Sequence, residues 1–294
     1  MKKKQLLIFC LIAVLSISLL SGCNSSKQEE TAGSFVSEEL QIENEGRTIP
    51  ATLVIPEGKE NYPLVVMNHG FAGSRNENGG FTKIAESLAE SGIASVRFDF
   101  AGCGDSKADF KEFNLKNNMS DVNACLEYVL SNKPVDKENI GVFGYSMGGA
   151  LTVLLTENED NPYEAMALLA PAVNKDEAFF SDVDNQLKEA KEKGYYSLDW
   201  FGKELHVGAD YYEGLKAAFD VFDKYDNTRD CIVIYGDSDT TILPEHSKAF
   251  ADKMEVESVM IEGADHGYGM YSDQPDVTKK LIDTVTSFFI NELK

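Results

Sequence analysis

Apolar and polar positions fall into alternating blocks along most of this chain. Residues 35–43 and 48–55 read as two strands joined through Glu45-Gly46. Pro63-Leu64-Val65-Val66-Met67-Asn68 is a short apolar run that stops at His69-Gly70. Residues 85–90 continue a helical pattern, and 93–100 form another apolar strand. Val122, Leu126 and Val129 lie at helical spacing within 119–130. Residues 140–143 are apolar and lead through a glycine-rich turn into a helix-like run, 150–156. Residues 165–170 read as a buried strand ending at Pro171. Residues 231–235 and 257–261 are two further strands, separated by a helix that starts near Pro244. A closing helix covers 275–293. Strands alternating with helices predict the α/β class, with a mostly parallel, doubly wound sheet.

One stretch breaks the alternation. Residues 172–225 show no clear strand, and 175–193 is charged and helix-prone. Phe179, Phe180, Tyr195, Tyr196, Trp200, Phe201, Tyr211, Tyr212, Phe219, Phe222 and Tyr225 crowd into it, twice the aromatic density of the chain as a whole. So many rings need a surface to pack on. The expectation is an inserted, largely helical cap over the carboxyl ends of the sheet. Its rings either form a small core of the cap or face a pocket, and both hold if a few turn inward.

The first 33 residues stand apart from this pattern. Lys2-Lys3-Lys4 is a basic start, and 6–20 is an apolar run short for a membrane span. Leu20-Ser21-Gly22-Cys23 follows and resembles the lipobox of bacterial lipoproteins. That resemblance implies cleavage before Cys23, a diacylglyceryl group on its sulfur with palmitate-type chains, and a protein anchored to the membrane outside the cytoplasm. Residues 23–33 read as a flexible tether. The remainder, 34–294, is long enough for one large α/β domain with its insertion.

Charge narrows the partners. The full chain carries −22, and residues 1–22 contain three lysines and no acid, so the exported part is more negative still. Phosphate backbones would be repelled, which excludes nucleic acid as a partner. Polybasic attachment to anionic lipid is excluded on the same ground. A neutral ester would not feel the field. Cys103, Cys125 and Cys231 match no zinc spacing; they read as small buried apolar residues, with one disulfide as the alternative. The sequence contains no phosphate loop, dinucleotide fingerprint or HExxH pattern, so no metal or cofactor is expected.

The candidate chemistry lies in Gly144-Tyr145-Ser146-Met147-Gly148. A Gly-x-Ser-x-Gly turn between a strand and a helix holds a serine hydroxyl above the end of a sheet. A serine needs a base, an orienter for that base and donors for an oxyanion. Of His69, His206, His246 and His266, only His266 follows a strand in a glycine-flanked loop, Glu262-Gly263-Ala264-Asp265-His266-Gly267. Tyr235-Gly236-Asp237-Ser238-Asp239-Thr240 supplies two candidate acids ahead of it. His69 reads as a loop-holding residue rather than a catalytic one.

These motifs, in this order, resemble the α/β-hydrolase superfamily over residues 35–293. His69-Gly70-Phe71 is similar to its oxyanion loop, and Gly144 to Gly148 to its nucleophile turn. Gly236-Asp237-Ser238-Asp239 resembles its Gly-x-x-Asp pattern, and Gly263-Ala264-Asp265-His266 its histidine loop. The resemblance implies an α/β-hydrolase fold with Ser146 as nucleophile, Asp239 as orienting acid and His266 as base. It also implies an oxyanion hole from the backbone N–H groups of Phe71 and Met147, which leaves the Phe71 side chain incidental. Asp237 and Asp265 then read as loop-stabilising. His69-Gly70-Phe71-Ala72-Gly73, the loop from Phe98 to Ser106 and the insertion are most similar to bacterial cinnamoyl or feruloyl esterases, although Cys103 departs from their usual pattern. The expected function is hydrolysis of small or aromatic carboxylic esters through an acyl-serine. Alternatives are a serine aminopeptidase-like enzyme, a lysophospholipase or acylglycerol lipase, and a non-catalytic lipid-anchored binding protein.

Overall fold

The structure, a computed structural model, describes residues 33–158, 160–226 and 229–294. The signal peptide, the Cys23 lipid site and the tether up to residue 32 lie outside the described residues. Among those described, no helix is long and apolar enough to cross a membrane.

Eight strands form one sheet: β1 (Phe35–Asn44), β2 (Arg47–Pro56), β3 (Tyr62–Asn68), β4 (Ala94–Phe98), β5 (Val135–Tyr145), β6 (Ala165–Leu169), β9 (Asp230–Gly236) and β10 (Glu257–Ile261). Their order is β1-β2-β4-β3-β5-β6-β9-β10. β1, β2 and β4 pair antiparallel, and every pairing from β4 through β10 is parallel. The composition of the strands explains their positions. β4 and β6 are buried at every residue, as the interior of a parallel sheet covered on both faces requires. β1 instead alternates exposed Glu39, Gln41 and Glu43 with half-buried Leu40 and buried Ile42, as suits an edge.

Helices α1 (Gly80–Glu90) and α7 (Pro275–Leu293) pack together against the sheet, as do α2 (Leu115–Asn132) and α3 (Met147–Thr156). α6 (Pro244–Met254) lies along β9 and β10. After β3 the chain adds β4 on one side of it and β5 on the other. The order reverses there, and a crevice opens outside the carboxyl ends of the strands. His69-Gly70-Phe71 and Ser146 follow β3 and β5 into that crevice.

The insertion is a cap of helix, hairpin and helix: α4 (Val183–Lys193), β7 (Tyr196–Trp200) antiparallel to β8 (Lys203–Val207), and α5 (Ala209–Lys224). The hairpin corrects the expectation of a strand-free segment. Tyr196-Ser197-Leu198-Asp199-Trp200 does alternate, but its inward positions are only half-buried, and the surrounding density of rings hides a period of two. The turn is Phe201-Gly202, with φ of 51° and 80°. Cys103, Cys125 and Cys231 are buried free thiols. Burial raises their pKa values, so they stay neutral thiols packed in the core.

Candidate active site

The serine turn is built by close approach. α3 starts directly beneath the end of β3, and a Cβ on Gly148 would overlap the carbonyl oxygens of Asn68 and His69. Only glycine fits there. Ser146 itself is held at φ 54°, ψ −116°, a backbone state that a non-glycine residue seldom adopts. Its N–H donates to Leu169 O at 2.8 Å, and its carbonyl accepts from Ala150 N–H and Ala172 N–H, both at 3.1 Å. The backbone is thus pinned by β6 and by the loop after it, leaving the side chain aimed upward. Met147 is the first residue of α3, so its N–H has no acceptor within the helix.

The loops after β9 and β10 bring two more predicted residues to this point. Ser146 Oγ lies 3.0 Å from His266 Nε2, and His266 Nδ1 lies 2.7 Å from Asp239 Oδ2. The Asp239 side chain is fully buried. Its Oδ1 accepts from Thr241 N–H at 2.9 Å and Ile242 N–H at 3.0 Å. An ionised carboxylate is the acceptor these bonds require, so His266 Nδ1 carries the proton and Nε2 faces the serine. The Tyr268 hydroxyl approaches Asp239 Oδ2 at 3.4 Å and accepts Gly236 N–H at 2.9 Å. Burial and the Asp239 charge keep the Tyr268 hydroxyl protonated by raising its pKa well above the usual range. The backbone of the histidine loop is also anchored, since Tyr145 OH donates to the His266 carbonyl oxygen at 2.7 Å.

The other acids and histidines have separate tasks. Asp237 Oδ1 accepts from Gly263 N–H at 2.7 Å, and Asp265 Oδ1 from Gly267 N–H at 2.9 Å, so both brace loops. His69 is buried, and its Nε2 accepts Phe100 N–H at 3.1 Å. Nδ1 therefore holds the proton and donates to Gly70 O at 2.7 Å. Burial lowers the His69 pKa to about 4, so the ring is neutral at pH 7 and makes no ion pair with nearby Glu77. It ties the loop after β3 to the loop after β4. Arg75 and the buried Asp99 reinforce that tie: Asp99 accepts from the Arg75 guanidinium, from Arg75 N–H at 2.7 Å and from Asp105 N–H at 2.9 Å. His246 and the half-buried His206 are far from this relay in role; His206 stacks on Tyr195.

Phe71 overturns an expectation. Its ring is not incidental: it sits at the centre of an aromatic cluster, 5.1–5.6 Å from the rings of Phe110, Phe113, Phe179, Trp200 and Tyr211. Three of these belong to the cap. Tyr212, Phe222 and Tyr225 are buried within the cap and beneath it, so the rings serve both expected uses. Two buried acids also escaped the sequence reading. Glu77 accepts Gly70 N–H at 2.9 Å. Glu177, at the entry to the cap, accepts His246 Nδ1 at 2.8 Å and Leu243 N–H at 3.2 Å, bracing the loop that holds Asp239. Both sit in polar, loop-like surroundings, where nothing in the pattern distinguishes a buried acid from an exposed one. Among the described residues no group of three His, Cys, Asp or Glu is arranged to hold a metal.

The chain is similar to several known proteins. The model of the prolyl oligopeptidase family matches residues 80–294. An Escherichia coli 31.7 kDa protein from the traX-finO intergenic region is 26% identical over 171 residues, 54% of this chain and 56% of that protein. The quorum-quenching protein AidA of Acinetobacter baumannii is 28% identical over 134 residues, 45% of this chain and 43% of its own. The chain thus spans about half the length of the curated relatives it matches. Among solved structures, Est1E of Butyrivibrio proteoclasticus with ferulic acid bound has a TM-score of 0.68 at 24% identity, covering 86% of this chain and 98% of that one. Strand order and these matches identify an α/β-hydrolase fold.

Proposed function

The chain belongs to the prolyl oligopeptidase family, and on that premise we propose that it is a serine hydrolase of carboxylic esters with small or aromatic acyl groups. The observation that supports this most is the continuous relay from Ser146 Oγ through His266 to Asp239, at 3.0 and 2.7 Å. Ser146 Oγ attacks the ester carbonyl as His266 Nε2 takes its proton. The negative charge that develops on the carbonyl oxygen is met by the N–H groups of Phe71 and Met147, helped by the positive end of α3. The C–O bond then breaks, and the alcohol leaves with the proton from His266. Water, deprotonated by His266, releases the acid from Ser146. Asp239 keeps the imidazole in the required tautomer and stabilises its cation.

An aromatic acyl group suits the surroundings of Phe71. The cavity on the cap side of that ring, walled by Phe179, Leu198, Tyr211 and Leu215, measures only about 10 Å³. A cinnamoyl-sized group enters there only if cap rings part. The ferulic acid held by Est1E, a protein of the same fold, supports this choice of acyl group.

The family description favours a second reading, cleavage of peptide bonds in oligopeptides, for which a serine aminopeptidase-like activity is one form. A panel of p-nitrophenyl esters of rising acyl length, methyl hydroxycinnamates and aminoacyl p-nitroanilides separates the two. Esters are expected to exceed anilides in kcat/KM, with hydroxycinnamates among the best. Faster anilide turnover would establish the peptidase reading, and rates climbing steadily with acyl length would point to a lipase.

The anchor remains part of the same proposal. With the lipobox reading of Cys23, the wild-type protein should partition with membranes and incorporate a labelled palmitate analogue. Cys23→Ala should lose the label completely. Equal labelling of both forms would refute the anchor.

A further inference from the structure

Between Ser74 and α1 the chain makes a turn that ordinary loops avoid. Glu77, Asn78 and Gly79 have φ values of 40°, 49° and 90°. Glutamate has no intrinsic preference for that backbone state, so surrounding contacts must hold it there. Those contacts lead to both sides of the site. Glu77 is only 1% exposed. Its Oε1 accepts Gly70 N–H at 2.9 Å, and its Oε2 accepts the Tyr271 hydroxyl. Next to it, Asn78 Nδ2 donates to Met270 O at 2.6 Å. Gly73 leaves the room this carboxylate needs, because a Cβ there would overlap Oε1.

The partners fall on two loops. Gly70 precedes Phe71 on the loop after β3. Met270 and Tyr271 lie four and five residues beyond His266 on the loop after β10. Glu77 and Asn78 thus form a bridge between two segments almost 200 residues apart in the chain. A buried acid is costly without partners. Burial pushes the Glu77 carboxyl upward, and the Tyr271 hydroxyl and Gly70 N–H act against that shift by binding its ionised form.

We propose that Glu77 is a positioning residue for acyl transfer: it holds the Phe71 loop in register with the His266 loop, so that oxyanion donor and base address the same carbonyl. The proposal rests on the roles given above to Ser146, His266 and the Phe71 amide. A shift of one loop against the other by about 1 Å would lower turnover by up to roughly 100-fold without removing any group that touches substrate.

The test is a kinetic cycle on the detergent-solubilised full chain with p-nitrophenyl acetate, using Tyr271→Phe, Glu77→Gln, Glu77→Ala and the double variant Glu77→Ala/Tyr271→Phe. Tyr271 is half-exposed, so its substitution spares the core. Tyr271→Phe should lower kcat about tenfold and Glu77→Ala about 100-fold, with KM changed less than about threefold. Glu77→Gln keeps an acceptor for Gly70 N–H and should fall between wild type and Glu77→Ala. In the Glu77→Ala background, Tyr271→Phe should have no further effect, because its partner is gone. Wild-type kcat in Tyr271→Phe, additive losses, or losses confined to KM would overturn the proposal. If the Glu77 variants do not fold, the kcat of Tyr271→Phe decides alone. A wild-type enzyme that a fluorophosphonate fails to label at Ser146 would overturn the underlying roles and this inference with them. A labelled wild type with unimpaired variants would overturn the inference alone.

Discussion

Ser146→Ala should reduce kcat by about 10⁶-fold on any ester the wild type cleaves, while leaving the protein folded. The size follows from what the hydroxyl does. In the proposed mechanism it is the atom that bonds to the acyl group, and neither His266 nor Asp239 can replace it. The selectivity follows from how the residue is held. The backbone bonds at Ser146 go to Leu169 O, Ala150 N and Ala172 N, and among the described residues the side chain bonds to His266 alone. Alanine keeps the three backbone bonds and fits the same φ about as well as serine. The melting temperature should therefore move by no more than a few degrees, and a product acid should still bind. Residual turnover of about 10³ over water would remain from oxyanion donors and binding. Labelling with a fluorophosphonate gives an independent check, since the variant should take up none. If Ser146→Ala keeps more than about one per cent of wild-type kcat, the nucleophile lies elsewhere. If the wild type turns over nothing while binding esters, the cleft belongs to a binding protein.

Asp239→Asn should lower kcat by about 10⁴-fold, although only one atom changes. Asparagine has two ways to sit in the site, and both fail. With its amide nitrogen toward His266, it donates to Nδ1, drives the proton to Nε2 and leaves the serine facing a donor. With its oxygen toward His266, the amide nitrogen meets the N–H groups of Thr241 and Ile242, donors facing a donor. The first arrangement costs less, because it spares two buried backbone bonds. The wrong tautomer is therefore expected to dominate. Losses should appear in kcat with KM little changed, and labelling of Ser146 should slow in proportion. A loss under tenfold would mean that another acid orients His266. Asp237 and Glu177 would be the ones to examine, although each is already committed to a loop.

How much of this could be read beforehand depended on where each residue's partners lie along the chain. β3, β6 and the 140–143 half of β5 were legible because a parallel strand covered on both faces must be apolar, whereas the first half of β5, with exposed Lys137 and Glu138, gave no such signal. Ser146 and His266 stood out because each lies in a short loop whose glycines answer a local demand of the backbone, as Gly148 does beneath Asn68, whereas the choice of Asp239 over Asp237 came only from the resemblance. Glu77 was not legible. Its partner Tyr271 lies at the far end of the chain, and Asn76-Glu77-Asn78-Gly79-Gly80 has the composition of an exposed turn. Glu177 was hidden for the same reason, since the loop it braces lies 66 residues away. The β7–β8 hairpin was missed because β7 alternates only half-buried positions against an aromatic background, and β8 is five residues long with just two buried ones, Leu205 and Val207. The Phe71 ring was discounted because its amide supplied a sufficient role. Nothing local indicated that five other rings converge on it.

That convergence bears on how the enzyme would choose among substrates. In the proposed mechanism Phe71 offers its amide to the reacting carbonyl, while its ring packs against Phe179, Trp200 and Tyr211 of the cap. An acyl group that parts those rings also presses on the residue whose N–H must meet the oxyanion. Recognition and chemistry then share one rigid unit, and a well-fitting acyl group is rewarded with speed rather than with tighter holding. Discrimination among esters should therefore appear in kcat, and a cap trimmed of its rings should become indiscriminate and slow together.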